Sequence, residues 1–114
     1  MLNQEQIDQY NEQGYVIPDF RLPETVVEDM HRELEILIAA NPGMTADTMF
    51  VPHLSQENPQ GMKSPNYEKW CSYACHDDIL DMVSDLIGGD LALWGTTVFG
   101  KPAGNGKETP WHQD

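Results

Sequence analysis

Residues 91–101, LALWGTTVFGK, are the stretch that decides the fold, and they lead through PAGNGKETP at 102–110 to WHQD at 111–114. Apolar residues occupy both alternating sets of positions in 91–101, which predicts a strand whose two faces are both largely covered. Gly95 interrupts this strand and indicates a bulge or a close approach by another part of the chain. The turn-forming residues at 102–110 then predict a link to the final four residues.

Two side chains with metal-binding atoms, His112 and Asp114, stand two positions apart at the end of this stretch. In an extended strand, side chains at i and i+2 leave the same face about 6.6 Å apart along the backbone, so we expect both to point the same way. A histidine nitrogen beside a carboxylate oxygen makes up two thirds of the 2-His-1-carboxylate site that holds non-haem Fe(II). By itself, however, a His-x-Asp tripeptide is more often a structural strand end.

The residues before position 91 predict mainly helix. Asn3 and Gln6 form a capping-box pair at the start of a first helix, which Gly14 ends. A second helix runs from Pro23 to the Asn-Pro-Gly sequence at 41–43. Its predicted buried stripe consists of Val27, Met30, Leu34, Leu37 and Ile38. Residues 15–17 and 49–51 are β-branched or aromatic runs that predict two short strands.

Residues 67–75 and 78–87 predict two helices, or one broken helix, with Asp77 or Asp78 as the cap between them. The buried stripe of the later helix is predicted to contain Ile79, Leu80, Val83, Leu86 and Ile87. Asp81 and Asp85 fall on its opposite face, where we expect solvent. The chain lacks a second pair of metal ligands at a suitable spacing, so Cys71 and Cys75 are interpreted as reduced thiols. His53, before a polar loop, is interpreted as structural.

The charge balance limits the classes of partner. Nineteen acidic and six scattered basic residues give a net charge of −13 over 114 residues, which disfavours nucleic acid and anionic membranes because both attract clustered Lys and Arg. No apolar run is long enough for a membrane span, and the polar N-terminus lacks the features of a secretory signal. We therefore expect a single domain at most, located in the cytoplasm, whose partner is a small molecule.

Several segments together resemble one known family. QIDQYNEQGYVIPDF before a long amphipathic helix, a capped helix ending in DLIG, the strand ending in GKPAGNGKETP, and the final WHQD are similar to the phytanoyl-CoA dioxygenase family of Fe(II)- and 2-oxoglutarate-dependent oxygenases. The resemblance runs the full 114 residues but corresponds to the N-terminal half of such an enzyme. It implies an α+β fold, in which mainly helical residues 1–90 pack against the first strands of an incomplete double-stranded β-helix (a cupin-like jelly roll) at 91–114.

The resemblance also implies roles for individual residues. His112 and Asp114 fall at the positions of the family's first two iron ligands, and Gln113 lies between them at the cofactor site. Thr97 and Lys101 share one strand face and fall where the family places groups toward 2-oxoglutarate, although the family often has methionine at the position of Thr97. Lys63 is a candidate for a more distant co-substrate contact. The second iron-binding histidine and the arginine that pairs with 2-oxoglutarate are absent from residues 1–114.

The implied activity is hydroxylation of an unactivated C–H bond in a small organic substrate, with Fe(II), 2-oxoglutarate and O2. Related halogenating enzymes carry a small residue at the carboxylate position, so Asp114 favours hydroxylation over halogenation. The strongly acidic chain favours a small metabolite over a CoA thioester. We expect the 114-residue chain to be an inactive fragment of such an enzyme. Two alternatives stay open: a non-catalytic cupin-like or helical interaction domain with a structural His-x-Asp, and a cupin-type isomerase or other metalloenzyme that does not use 2-oxoglutarate.

Overall fold

The computed structural model describes residues 1–42, 49–54, 61–101, 104 and 106–113. These residues form four helices and a two-stranded sheet: α1 (Gln4–Gln13), α2 (Glu24–Ala40), β1 (Met49–Phe50), α3 (Tyr67–Ala74), α4 (Asp77–Ile87) and β2 (Val98–Phe99). The strands pair antiparallel, with Met49 opposite Phe99 and Phe50 opposite Val98. The α+β class is as expected, but the strands of the described residues are too few to form the expected jelly roll.

Local capping sets the bounds of α1, as predicted. The Asn3 side chain accepts a hydrogen bond from the Gln6 backbone N–H at 2.9 Å, and the Gln6 side chain accepts from the Asn3 N–H at 3.0 Å. Both bonds satisfy N–H groups that have no partner within the helix. Gly14 ends the helix with φ of 80°, a left-handed conformation that favours glycine. Residues 15–17 form no strand, so that prediction was wrong.

The buried face of α2 differs from the predicted stripe. Leu37 is buried and Met30 and Leu34 are partly buried, as expected, but Val27 and Ile38 at the edges of the stripe are exposed. Their place on the packed face is taken by Glu33, which is only 3% exposed. Hydrophobic periodicity placed the stripe too far around the helix because it could not anticipate a buried carboxylate.

Asn41 caps the C-terminal end of α2 and connects it to a distant segment. Its side-chain NH2 donates to the carbonyl oxygens of Leu37 and Lys63 at 2.7 and 2.8 Å, while its side-chain oxygen accepts from the Lys63 N–H at 2.9 Å. The predicted helix stop at Asn41 is confirmed. The two-way pairing with Asn41 also fixes the backbone at Lys63.

Helices α3 and α4 are separate, and His76 lies at the junction as the residue before α4. Asp77 and Asp78 are in the first turn of α4 and do not cap it, contrary to the prediction. The predicted apolar stripe of α4 is partly buried at Ile79, Leu80, Val83 and Leu86, but Ile87 is exposed. Asp81 is exposed as expected, whereas Asp85 is half-buried and accepts a 2.6 Å hydrogen bond from the Leu2 N–H.

The hydrophobic core joins the helices to the sheet. Its buried residues are Leu37 from α2, Phe50 from β1, Met62 from the segment before α3, and Trp70 from α3. Half-buried apolar side chains pack around them, namely Leu34, Val51, Tyr73 and Val98. The Trp70 and Tyr73 rings meet edge to face, with centroids 5.8 Å apart and an interplanar angle of 87°, a favourable aromatic geometry.

The C-terminal strand is shorter and more exposed than predicted. Only Val98–Phe99 of the stretch 91–101 is strand, and Trp94 and Phe99 are largely exposed. The expected cover on both faces is therefore absent among the described residues, where β1 is the strand that pairs with β2. No helix in the described part of the chain combines the length and the apolar character needed to cross a membrane.

Candidate functional site

Residues 91–114, which we call the C-terminal segment, contain the side chains that the sequence predicts as a metal and co-substrate site. His112 and Gln113 are both exposed, and Asp114 lies outside the described residues. The expected convergence of His112 and Asp114 on one face therefore stays a prediction. The described residues contain no group of three or more His, Cys, Asp or Glu side chains placed to hold a metal ion. This finding does not cover the pair of His112 and Asp114, because Asp114 is not among the described residues.

A backbone contact favours one tautomer of the neutral His112 ring. Nδ1 lies 2.9 Å from the carbonyl oxygen of Pro110. A carbonyl oxygen can only accept, so Nδ1 carries the proton in this contact and Nε2 carries the lone pair. Histidines that bind metals commonly have this second hydrogen bond, which fixes the tautomer and the orientation of the ring. His112 in this tautomer therefore has a ring nitrogen, Nε2, of the kind that binds Fe(II).

The candidate co-substrate residues Thr97 and Lys101 flank the short strand β2. Thr97, Phe99 and Lys101 are exposed, whereas Val98 between them is half-buried against the core. Gly100 is exposed as well, so the sharing of one face by Thr97 and Lys101 stays a prediction. Among the described residues, no hydrogen bond or ion pair joins Thr97 or Lys101 to His112 or Gln113, so their grouping into one site stays a prediction.

Lys63 is also exposed, on the segment that precedes α3. Its backbone N–H and carbonyl group are both bonded to the buried side chain of Asn41. The position of the Lys63 backbone is therefore set by the end of α2, while its side chain reaches solvent. A possible co-substrate contact by Lys63 stays open.

A polar cluster between α2 and α3 was missed by the sequence analysis. We call it the α2–α3 cluster and define it as Asp29, Glu33, Lys69 and Tyr73. Lys69 Nζ donates to Glu33 Oε1 at 2.7 Å and to both Asp29 carboxylate oxygens at 3.1 Å. Tyr73 donates its hydroxyl proton to Asp29 Oδ2 at 2.5 Å. Two carboxylates thus share one ammonium group.

Hydrogen bonds to these carboxylates keep them ionised. Donation by Tyr73, then by Arg32 and Lys69, holds the pKa of Asp29 well below its ordinary value. Burial alone would raise the pKa of Glu33, but donation by Lys69 and by Asn66, at 2.6 Å, outweighs it and leaves that pKa lowered. Conversely, burial and the bond to Asp29 raise the pKa of the Tyr73 hydroxyl.

The α2–α3 cluster is better explained as structural than as a reactive site. Each of its charged groups is paired with an opposite charge, and Tyr73 is held in its protonated form. A sequence signal for it existed, because Asp29 and Glu33 are four residues apart in α2 and Lys69 and Tyr73 are four apart in α3. Residues at that spacing share a helix face. The pairing of these two faces could not be read from the sequence.

Two grooves are lined by helix residues. One, between α2 and α3, is lined by Asp29, Arg32, Tyr73 and His76 among others. The other lies along α4 and residues 89–93 and is mainly apolar, with Ile79, Val83 and Leu91 in its wall. Cys71 and Cys75 are both free thiols, as predicted, with Cys71 half-buried and Cys75 exposed. Neither groove contains any of the predicted iron or co-substrate residues.

Comparison with known proteins identifies one match. A family model described as phytanoyl-CoA dioxygenase (PhyH) matches residues 10–114, which is nearly the whole chain. No curated protein and no solved structure matches the chain. The matched region includes the core residues, the exposed strand that carries Thr97 and Lys101, and the terminal residues 111–114.

Proposed function

Since the chain belongs to the phytanoyl-CoA dioxygenase family, we propose that it supplies part of an Fe(II)- and 2-oxoglutarate-dependent oxygenase that hydroxylates an unactivated C–H bond of a small organic substrate. The observation that carries this proposal is the contact between His112 Nδ1 and the Pro110 carbonyl oxygen at 2.9 Å. It leaves the lone pair on Nε2, as metal binding requires. The family membership supports an oxygenase-type enzyme. The assignment of His112 and Asp114 as iron ligands is part of our proposal.

The proposed metal ligands are His112 through Nε2 and Asp114 through its carboxylate. The third protein ligand is a second histidine outside residues 1–114. Such an iron site supplies the activation of O2, coupled to the conversion of 2-oxoglutarate to succinate and CO2. Within this chain, the Pro110 carbonyl group keeps the His112 ring in one orientation and one tautomer.

Thr97, Lys101 and Gln113 are proposed to bind the co-substrate. The Lys101 ammonium group can pair with a carboxylate of 2-oxoglutarate, and the Thr97 hydroxyl and Gln113 amide can donate hydrogen bonds to it. A cation at this position matters in a chain with a net charge of −13, because the surrounding field otherwise repels a dianion. Thr97 and Lys101 are exposed on either side of β2 and are therefore accessible to such a ligand.

The experiment is an assay of succinate formation from 2-oxoglutarate after anaerobic purification and addition of Fe(II). It compares the 114-residue chain with a longer chain that continues past Asp114 to a second histidine. We expect succinate from the longer chain only, and its loss in His112→Ala. His31→Ala is the matched control, because His31 lies exposed on α2.

Different failures identify the alternatives. Turnover by the 114-residue chain would overturn the assignment of the third ligand to a segment outside it. Fe(II) binding that depends on His112 without any succinate would favour a metalloenzyme that does not use 2-oxoglutarate. Absence of Fe(II) binding in the longer chain would favour a non-catalytic domain in which His112 and Asp114 are structural.

A further inference from the structure

His53 contacts the backbone just before β2, and the candidate site gives this contact no role. Its Nδ1 lies 2.9 Å from the backbone nitrogen of Thr96 and 3.0 Å from the Thr96 carbonyl oxygen. The two residues are 43 positions apart in sequence. Thr96 directly precedes Thr97, the first of the proposed co-substrate residues. The His53 side chain, which follows β1, therefore contacts the backbone of the residue next to Thr97.

The Thr96 N–H explains why an imidazole is suited to this place. A backbone N–H can only donate, so the bond from the Thr96 N–H requires an unprotonated Nδ1, with the ring proton on Nε2. In that tautomer Nδ1 makes no hydrogen bond to the Thr96 carbonyl oxygen, although the two atoms are 3.0 Å apart. Strand pairing in the described residues starts at Val98, so the Thr96 N–H has no partner strand. His53 accepts its hydrogen bond instead. An unsatisfied backbone donor is costly when it is removed from water.

Gly95 makes the close approach of the imidazole possible. A Cβ atom at this position would lie 2.7 Å from His53 Cε1 and 3.0 Å from Nε2. Carbon atoms in ordinary contact are about 3.5–4.0 Å apart, so a side chain at position 95 would displace the ring. The sequence had indicated a close approach at Gly95, and the structure identifies His53 as the group that approaches.

The segment that carries His53 is itself anchored in the core. Ser64 is fully buried and donates its hydroxyl proton to the carbonyl oxygen of Pro52 at 2.5 Å, and Pro52 is also fully buried. The Leu54 N–H donates to the Val51 carbonyl oxygen at 3.3 Å, which closes the turn around His53. His53 is therefore attached to a fixed part of the molecule.

We propose that His53 is a positioning residue for the co-substrate face: by accepting the Thr96 N–H against Gly95, it sets the direction from which Thr97 and Lys101 project. His53 is not expected to contact the co-substrate, since its Nδ1 is occupied by the backbone. The inference rests on the proposed function for its consequence, namely 2-oxoglutarate binding. The anchoring of Thr96 can be tested separately.

The test uses the full protein with three substitutions. His53→Ala removes the acceptor, Gly95→Ala displaces the ring, and His53→Asn offers a side-chain oxygen at about the position of Nδ1. The dissociation constant for 2-oxoglutarate is measured with Fe(II) present and O2 excluded, alongside the Fe(II) affinity. Hydrogen exchange of the Thr96 amide is followed by NMR in the same proteins.

We expect His53→Ala and Gly95→Ala to weaken 2-oxoglutarate binding about tenfold, because a small misplacement of binding groups has a large effect, while Fe(II) affinity stays within twofold. His53→Asn should restore most of the binding and slow Thr96 exchange again. This rescue separates positioning from a general loss of structure. Equal 2-oxoglutarate affinity in wild type and His53→Ala would overturn the proposal, as would failure of the asparagine to rescue a folded protein.

Failure of the proposed function gives a different result. If the wild-type protein does not bind 2-oxoglutarate at all, that function is wrong, and the positioning role is then judged from the NMR data. Faster Thr96 exchange together with shifted Thr97 and Lys101 signals in His53→Ala, both reversed in His53→Asn, would support the positioning of β2. Unchanged exchange and unchanged signals would overturn it.

Discussion

The α2–α3 region and the C-terminal segment use the same kinds of residue in opposite ways. Trp70 in α3 is 7% exposed and packs in the core, whereas Trp94 is fully exposed before β2. Glu33 and Lys69 form a tight pair between helices, whereas Lys101 lies exposed beyond β2. Residues that stabilise the fold therefore concentrate in one region, and candidate ligand-binding residues concentrate in the other.

The comparison shows how the molecule separates stability from chemistry. Side chains that already bind each other, as in the α2–α3 cluster, have little remaining capacity for a ligand. Exposed side chains in residues 91–113 keep that capacity, and two contacts support this part of the chain: the Thr96 N–H donates to His53, and the His112 ring contacts the Pro110 carbonyl oxygen. The following substitutions test this separation, from the largest expected effect to the smallest.

Trp70→Ala should produce the largest loss of stability. It removes a buried aromatic ring and its edge-to-face contact with Tyr73, and replacements of this kind cost about 3–5 kcal/mol. The free energy of unfolding is measured by urea denaturation monitored by circular dichroism. A loss below about 1 kcal/mol would contradict the assignment of Trp70 to the core.

Glu33→Ala should have the second largest effect. It removes the acceptor of Asn66 and one of the two carboxylates that bind Lys69, and a hydrogen bond to a charged group contributes about 1.5–3 kcal/mol. Glu35→Ala, on the exposed side of the same helix, should change stability by less than about 0.5 kcal/mol. Equal effects of the two substitutions in urea denaturation would show that the α2–α3 cluster does not stabilise the fold.

Tyr73→Phe should reduce the acid sensitivity of folding. Tyr73 is the main cause of the lowered pKa of Asp29. A carboxylate whose pKa is lowered by folding stabilises the fold above the pKa of the unfolded chain, about 3.9, and loses this contribution as the pH falls through the folded value. The urea midpoint of the wild type should therefore fall more steeply below about pH 4 than that of Tyr73→Phe.

Tyr67→Phe is the control for this pH experiment. The Tyr67 hydroxyl contacts the exposed carboxylate of Glu68 at 3.2 Å and does not contact Asp29. Its removal should leave the acid dependence as in the wild type. If Tyr73→Phe and the wild type lose stability in parallel below pH 4, the bond from Tyr73 does not contribute to the pKa of Asp29.

Trp94→Ala should have the smallest effect on stability. Its side chain is fully exposed, and substitutions at such positions usually change the free energy of unfolding by less than about 0.5 kcal/mol. The same urea experiment as for Trp70→Ala gives the direct comparison. A loss similar to that of Trp70→Ala would mean that the C-terminal segment is packed in solution and that the contrast between the two regions is wrong.

The parts of the fold that depend on neighbours in sequence were predictable. The Asn3 capping box, the end of α1 at Gly14 and the stop at Asn41 all use groups within a few residues of the helix end. The buried face of α2 was not fully predictable, because Glu33 is buried by a contact with Lys69, which is 36 residues away. A carboxylate on an apolar face has no local sign of its partner.

For the candidate site, the residue assignments stay predictions, and the contacts that support these residues could not be predicted. Thr97 and Lys101 are both exposed, and the close approach that the sequence predicts at Gly95 is confirmed. The identity of the approaching group, His53, depends on a contact between segments 43 residues apart. The bond from His112 to Pro110 spans two residues, but it depends on a turn geometry that composition alone does not determine.

Anaerobic titration with Fe(II) tests the central claim most directly, namely that His112 and Asp114 are iron ligands. The titration uses the longer chain that continues past Asp114 to a second histidine. It compares the wild type with His112→Ala, Asp114→Ala and the exposed control His31→Ala. We predict that each ligand substitution weakens Fe(II) binding by more than about 100-fold, since loss of supporting residues alone costs 10- to 100-fold, and that His31→Ala binds as the wild type does. Wild-type Fe(II) affinity in His112→Ala would contradict the claim.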